Sequence, residues 1–260
     1  MLINQVMLYT EIHPVDHALG TVVITHGIAL HSLYYRRLAK LINQSGYQVL
    51  LYDVRGHGKS QGKRGDIDDI KTFIEDLNQI IIQIKKDTSK PVYVLGHSMG
   101  GVISKYYAAT YDNYDGLIVM SSPNSVKKLG VLQWLPMFLV GNIRIKTNFQ
   151  DPRLSNLPPD ENVEPYALKS FTIRLIINVL KKGLKYIRKN ISRIQKPVLT
   201  IHGSDDQLVS IDESISFDKS LKNEHHKFVS IQGGYHNLNH DTVTDDVGKV
   251  IGQWLNQLEK

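Results

Sequence analysis

The sequence predicts an α/β fold: a mostly parallel central sheet with helices on both faces and one long insertion between two of its strands. Three observations predict it. Short runs rich in Val, Ile, Leu and Tyr alternate with segments of helical periodicity. The short runs are apolar at consecutive positions, the pattern of strands buried on both faces by crossover helices. The alternation breaks off at residue 123 and resumes at 197, so residues 1–122 and 197–260 form one core and 123–196 an inserted cap.

TVVIT (21–25), YQVLLYDV (47–54), PVYVLG (91–96), YDGLIVMSS (114–122), PVLTIHG (197–203) and KFVSIQGG (227–234) read as strands, and residues 6–13 as an added antiparallel edge. Residues 32–44 and 69–86 read as helices. In the second, Phe73, Leu77, Ile80, Ile81 and Ile84 recur at three and four residues and make one apolar face. A short helix follows over 100–109, and a final helix places Val247, Val250, Ile251, Trp254 and Leu258 on one side. A sheet of this kind binds ligands beyond the carboxyl ends of its strands, where the polar segments of this chain fall.

Composition narrows the chemistry. The 260 residues contain no cysteine, which excludes disulfides, thiolate catalysis and cysteine metal sites. Hydrophobic residues make up 42% and charged residues 22%, proportions of a folded soluble protein. The opening residues lack a basic segment followed by an apolar one, and no apolar run reaches membrane-spanning length, so a cytoplasmic location is expected. The net charge of +6 is unevenly placed. Residues 121–197 carry 14 Lys/Arg against 4 Asp/Glu, and the rest of the chain is net acidic. With no nucleic-acid-binding module beside it, this basic segment points to a separate functional region and not to a nucleic-acid partner.

Four polar turns follow strands: His26-Gly27-Ile28, Gly96-His97-Ser98-Met99-Gly100, Gly203-Ser204-Asp205-Asp206-Gln207 and Gly233-Gly234-Tyr235-His236. The second is a G-x-S-x-G strand-to-helix turn, which holds a serine in a strained, exposed pose. A serine hydroxyl becomes nucleophilic only when a base accepts its proton and a third group orients that base. Ser98, Asp206 and His236 supply nucleophile, acid and base at successive strand ends. The spacing G-x-x-D-x-x-V from Gly203 to Val209 favours Asp206 over its neighbour Asp205. Among the histidines, His97 points away from the tight turn, His26, His57 and His202 bond loops or line the cleft, and His240 is a weaker competitor for the base. The developing oxyanion needs two donors, and the backbone N–H groups of Met99 and Ile28 are assigned to it. Asp53 to Ser60 is Gly-rich but lacks the G-x-x-x-x-G-K-[ST] order, so it reads as a structural loop, with Asp53 and Arg55 bonding nearby backbone. No H-E-x-x-H or clustered ligand spacing is present; neither a metal nor a cofactor is expected.

GHSMGG around Ser98, HGSDDQLV around Asp206, GGYHNLNHD around His236, HGIALHS at the oxyanion loop and DVRGHGKS after the next strand together resemble the α/β-hydrolases, closest to the monoacylglycerol lipase and lysophospholipase group, also classed with the serine aminopeptidase-like hydrolases. The resemblance spans nearly the whole chain and weakens in the insertion. It implies an α/β-hydrolase fold with a lid and a serine carboxylic-ester hydrolase acting on a lipid-like monoester. Broad-specificity carboxylesterase, thioesterase or acyltransferase chemistry stays open, as does a non-catalytic binding protein on the same fold. A serine at position 98 sets the chain apart from haloalkane dehalogenases and epoxide hydrolases, which resemble this fold but place a carboxylate there. One departure is Ala29-Leu30, where the group has a glycine and then an acid; it weakens the case for the same glycerol head-group recognition.

Within the insertion, residues 129–141 (LGVLQWLPMFLVG) are strongly apolar, and Leu132, Trp134, Leu135, Met137 and Phe138 are candidates for substrate or lipid contact. Residues 165–196 hold nine Lys/Arg and no acid, with Ile173, Ile176, Ile177, Leu180, Leu184, Ile187 and Ile191 at helical spacing and Gly183 as a weak point. The stripe is expected to pack on the core. The lysines predict a weak, reversible contact with anionic membrane.

Overall fold

A computed structural model describes residues 1–126, 130, 134–159 and 164–258. After a small hairpin of β1 (Leu2–Ile3) and β2 (Val6–Met7), the chain enters a seven-stranded sheet at β3 (Thr10–His13). β4 (Gly20–Thr25) follows, then α1 (Arg36–Asn43), β5 (Tyr47–Tyr52), α2 (Lys71–Asp87), β6 (Val92–His97), α3 (Met99–Ala108) and β7 (Gly116–Met120). In the insertion lie α4 (Met137–Val140), a ribbon of β8 (Arg144–Lys146) and β9 (Ser170–Thr172), α5 (Ile173–Ile176) and α6 (Leu184–Asn190). The core resumes with β10 (Val198–Gly203), α7 (Ile211–Ser220), β11 (His226–Ile231) and α8 (Thr244–Leu258).

The strand order is β11-β10-β7-β6-β4-β5-β3, parallel throughout except for β3, which pairs antiparallel with β5. The expected edge is therefore present, although Val6–Met7 pair with Leu2–Ile3 instead of joining it. Strand periodicity sorts the core into two layers. Val23, Leu50, Val94 and Leu117 face α2 and α3, whereas Val22, Leu51, Leu95 and Ile118 face α1 and α8. All six residues of β4, β6 and β10 are buried, the polar Thr21, Thr25, His97, Thr200 and His202 along with the apolar majority.

Two strands stop earlier than their apolar runs. β5 ends at Tyr52 because the Asp53 carboxylate turns to accept from the backbone N–H groups of Ser32 and Lys59, both at 2.7 Å. β7 ends at Met120, and Ser121 turns to φ +45°. Arg55 differs from expectation: its guanidinium makes a two-pronged pair with Asp76 on α2 at 2.8 and 2.7 Å. Helix α7 lies in a stretch with no strong periodicity. Its signal was the start motif Ser210-Ile-Asp-Glu213, in which Ser210 caps the first turn.

The helical stripe of the insertion packs on the core only in part. Leu184 and Ile187 are buried in the layer that holds α2 and α3, together with Leu175 and Val179 from outside the stripe, whereas Ile173 and Ile177 are buried against Val140 of α4 and Ile176, Leu180 and Ile191 are half-buried. The helix does not break at Gly183. Residues Ile177–Gly183 widen into a π-helical segment between α5 and α6, and a Cβ at Gly183 would stand 2.8 Å from Ile70 and 3.1 Å from Val102. The insertion is fastened to the loop before α2 through Asp66, which accepts from Thr172 Oγ1 and from the Arg174 guanidinium. Burial alone would raise the Asp66 pKa, but Arg174 and Thr172 hold it below the usual carboxylate range.

Candidate active site

Ser98 occupies the single-residue turn between β6 and α3 at φ +53°, ψ −115°, a conformation rare for a residue with a side chain. The flanking glycines make that turn possible. A Cβ at Gly96 would come 2.3 Å from the Gly100 carbonyl oxygen, and one at Gly100 would come 2.0 Å from that of Thr25. Strand, turn and helix are thereby pressed together, and the hydroxyl projects beyond the sheet at its carboxyl edge.

The three side chains singled out in the sequence meet here. His236 Nε2 lies 3.0 Å from Ser98 Oγ, and its Nδ1 lies 2.8 Å from Asp206 Oδ2. The Asp206 side chain is fully buried and faces four donors. Oδ1 accepts from the backbone N–H groups of Leu208 and Val209 at 2.8 and 2.9 Å. Oδ2 accepts from His236, and His202 Nε2, which donates to the Val209 carbonyl oxygen at 2.9 Å, also lies 3.1 Å from it. Burial by itself would raise the Asp206 pKa, but His236, His202 and the Val209 amide hold it far below the usual range, so it stays a carboxylate. Asp205 instead accepts from Ser204 Oγ at 2.6 Å and is exposed. His240 bonds the Pro158 carbonyl oxygen at 2.8 Å, away from Ser98.

Two supporting residues escaped the sequence reading in detail. His97 does point away from Ser98, and its ring joins both halves of the site. Its Nδ1 lies 2.6 Å from Tyr35 Oη, and its Nε2 lies 3.0 Å from the His236 carbonyl oxygen. Tyr35 Oη accepts from the Gly27 N–H at 3.0 Å. Since Tyr35 accepts there, its own O–H donates to His97 Nδ1, and His97 Nε2–H donates to His236. Burial, with His236 beside it, pushes the His97 pKa down to about 3, so this single neutral tautomer persists at physiological pH. The relay ties the backbone of the base to the loop that carries Ile28. His202 is the second: its Nδ1 meets Ser214 Oγ at 2.7 Å, which turns Nε2 toward Asp206.

Ser98 stands between two cavities. One, of about 100 Å³, is lined by Leu30, His97, Phe149, Leu154 and His236 and opens toward a polar vestibule of about 500 Å³ that includes Gln150, Asp151, Asn156 and Asn237. The other, of about 150 Å³, is walled by Pro123, Phe171, Ile176, Val179 and Leu180. Ile28 lines both, and Met99 lines the second. Neither backbone N–H donates a hydrogen bond to a described residue, which leaves both available to a ligand oxygen.

The apolar candidates in the insertion lie elsewhere. Trp134 is 77% and Phe138 83% exposed, Leu135 is exposed, and Met137 packs beside Val140, Ile173 and Ile177. Leu132 falls outside the described residues. The apolar wall beside Ser98 comes instead from β9 and the helical segment after it, because that segment crosses the carboxyl edge of the sheet while α4 sits on the outer side of it. Among the described residues no helix is long and apolar enough to cross a membrane, and no group of three His, Asp or Glu side chains is placed to hold a metal ion.

A family model described as serine aminopeptidase, S33, matches residues 16–243. A monoglyceride lipase of Mus musculus is 30% identical over an alignment covering 90% of this chain and 81% of the relative. Among solved structures, a monoacylglycerol lipase of Paleococcus ferrophilus superposes with a TM-score of 0.82 at 24% identity, covering 97% of this chain and 99% of that one. A soluble variant of the monoglyceride lipase of Saccharomyces cerevisiae gives 0.84 at 20% identity, covering 98% and 92%. With a fold shared along its length and a family match across nearly all of it, the chain belongs to the serine aminopeptidase, S33, family of α/β-hydrolases, within the monoacylglycerol lipase and lysophospholipase-like serine hydrolases.

Proposed function

We propose that this protein hydrolyses carboxylic esters of the monoacylglycerol or lysophospholipid type, with Ser98 as nucleophile, His236 as base and Asp206 as the group that orients it. The observation that carries this reading is the unbroken set of short contacts from Ser98 Oγ through His236 to Asp206, placed beside an apolar cavity on one side and a polar vestibule on the other. The acyl chain enters the cavity walled by Phe171, Ile176 and Leu180, and the alcohol faces the vestibule. Ser98 Oγ attacks the carbonyl carbon while His236 takes its proton, and the N–H groups of Ile28 and Met99 receive the oxyanion. His236 then protonates the leaving alcohol. Water, activated by the same ring, releases the acid from the acyl-enzyme.

In this reading residues 1–122 and 197–260 are the hydrolase core and 123–196 is the lid. The names of the relatives, monoglyceride lipases in several organisms, support the substrate class. A second reading, an esterase for short acyl chains, is favoured by the acyl-side cavity, whose volume of about 150 Å³ is below the roughly 300–1,000 Å³ usual for ligand sites. A turnover panel of monoacylglycerols, lysophospholipids and p-nitrophenyl esters of increasing chain length, with mass-spectrometric mapping of a fluorophosphonate adduct, tests both. An adduct on Ser98 and preference for long monoesters is the expected result. Turnover confined to acetyl and butyryl esters overturns the lipid assignment.

The outer face of the lid extends the proposal to a weak, reversible contact with anionic membrane by a cytoplasmic protein. Trp134, Phe138 and Leu139 are exposed there, Lys181 lies 5.5 Å from the Trp134 ring centre, and Lys182 and Lys185 are exposed nearby along the helix. Co-sedimentation with anionic vesicles above that with neutral ones, lost at high salt, is expected. Equal background sedimentation with both refutes it.

A further inference from the structure

Among the described residues Lys105 is the one fully buried lysine, and the proposed reaction does not use it. It sits on α3, two turns beyond Ser98, the helix that carries the Met99 N–H at its start. Burying an ammonium group is costly unless it is paired, and an apolar side chain of similar volume commonly packs there at no loss of stability. Burial pushes its pKa down to about 7, which records that cost, while Glu213 acts in the opposite direction.

Its partners explain the position. Lys105 Nζ donates to the Pro123 carbonyl oxygen at 2.7 Å and lies 4.8 Å from the centre of the buried Phe217 ring on α7. Glu213, on the first turn of the same helix, holds the next two residues. Its Oε2 accepts from the Asn124 and Ser125 N–H groups at 2.5 and 2.6 Å, and its Oε1 from Ser125 Oγ at 2.5 Å. A glutamate three residues after a serine N-cap ordinarily folds back to its own helix start. Here its side-chain bonds all go to residues 124 and 125.

Residues 123–125 are where the chain leaves β7 for the insertion, and Pro123 is itself a wall of the cavity beside Ser98. We propose that Lys105 and Glu213 form a two-headed clamp that positions Pro123, so that these two residues set the acyl-side wall of the site and fix the point where the lid joins the core. Lys105 is thus a positioning residue that acts through a backbone carbonyl and touches no substrate atom. The inference rests on the ester-hydrolase reading of Ser98 and adds to it a determinant of acyl-chain selection. The clamp fastens the lid at its entry, as Asp66 does at the loop before α2.

The test compares wild type with Lys105→Met, which keeps the buried volume and removes the donor and charge, and with Glu213→Ala, which removes all three acceptor contacts to residues 124 and 125. The measurement is KM and kcat for p-nitrophenyl acetate and p-nitrophenyl octanoate. In both variants the octanoate KM is expected to rise about five- to tenfold more than the acetate KM, with tryptic cleavage after Lys127 and Lys128 accelerated severalfold. Parallel changes for the two esters, with cleavage at the wild-type rate, overturn the clamp. If Lys105→Met does not fold, Glu213→Ala carries the same comparison. If wild type turns over neither ester and takes no fluorophosphonate at Ser98, it is the hydrolase reading that fails, and the cleavage rates of the variants alone decide the clamp.

Discussion

Replacing Asp206 by asparagine removes a charge and barely changes a volume, yet the hydrogen bonds around it dictate a large effect. The two oxygens of Asp206 are not equivalent. Oδ1 faces two backbone N–H groups, from Leu208 and Val209, whose directions cannot change. An asparagine must therefore keep its carbonyl oxygen at that position and place its NH₂ where Oδ2 now meets His236 and His202. Facing a donor, His236 Nδ1 must become an acceptor. The ring proton then sits on Nε2, pointing at Ser98, and the base can no longer take the serine proton. Locking the wrong tautomer in a serine–histidine–acid site lowers kcat by roughly 10⁴, which corresponds to about 5 kcal/mol in the barrier. His202 keeps the Val209 carbonyl oxygen as its acceptor at 2.9 Å, so the variant is expected to stay folded. The assay is single-substrate kinetics on a p-nitrophenyl ester, with circular dichroism and thermal melting to show that the variant is folded. A folded Asp206→Asn protein that keeps more than a tenth of wild-type kcat refutes the orienting role.

Three further outcomes follow from the same geometry. Gly100→Ala places a methyl group 2.0 Å from the Thr25 carbonyl oxygen; the overpacking costs about 1–3 kcal/mol or more, and a thermal midpoint and activity equal to wild type contradict it. Tyr35→Phe cuts the relay from Gly27 to His97, so kcat is expected to fall about tenfold with KM little changed; loss in KM alone points to a role in binding instead. Lys105 gives a pH signature: its pKa is about 7 in the fold against the usual 10.5, so between these values the unfolded chain binds more protons and stability rises with pH, by a few kcal/mol in all. The burial cost is fully present below pH 7. Urea titrations at pH 6.5 and pH 9.5 should show wild type gaining stability relative to Lys105→Met, and an unchanged difference between the two proteins at the two pH values refutes the assignment.

Local pattern carried a great deal in this protein. β4, β6 and β10 were legible because strands covered on both faces are apolar at most positions, and that character is printed in consecutive residues. The serine turn was legible because two glycines are needed for two backbone contacts shorter than a Cβ allows. Asp206 and His236 followed from lying just past strand ends in a sheet whose strands run parallel, which brings such turns to one edge. Helix α7 was missed in the sequence, since its residues have little amphipathic contrast and only the Ser210-to-Glu213 start motif marks it.

What tertiary structure decided was the direction of side chains whose partners are remote in sequence. His202, His97 and Tyr35 are each ordinary in their own segments, and their bonds to Asp206, His236 and Gly27 depend on how strands and loops are set beside one another. In the insertion, an apolar run and a basic helix have the same composition whether they face a cavity, the core or the outside. Packing sent Phe171 and Ile176 toward Ser98 and left Trp134 and Phe138 outward. Lys105 is the clearest case. Along the chain it is one more lysine on a short helix, and only the meeting of α3, α7 and the exit from β7 makes it a buried charge. Catalytic identity here lies in short motifs because it needs particular atoms at particular turns. Selectivity lies in the fold because it depends on the space that distant segments leave between them.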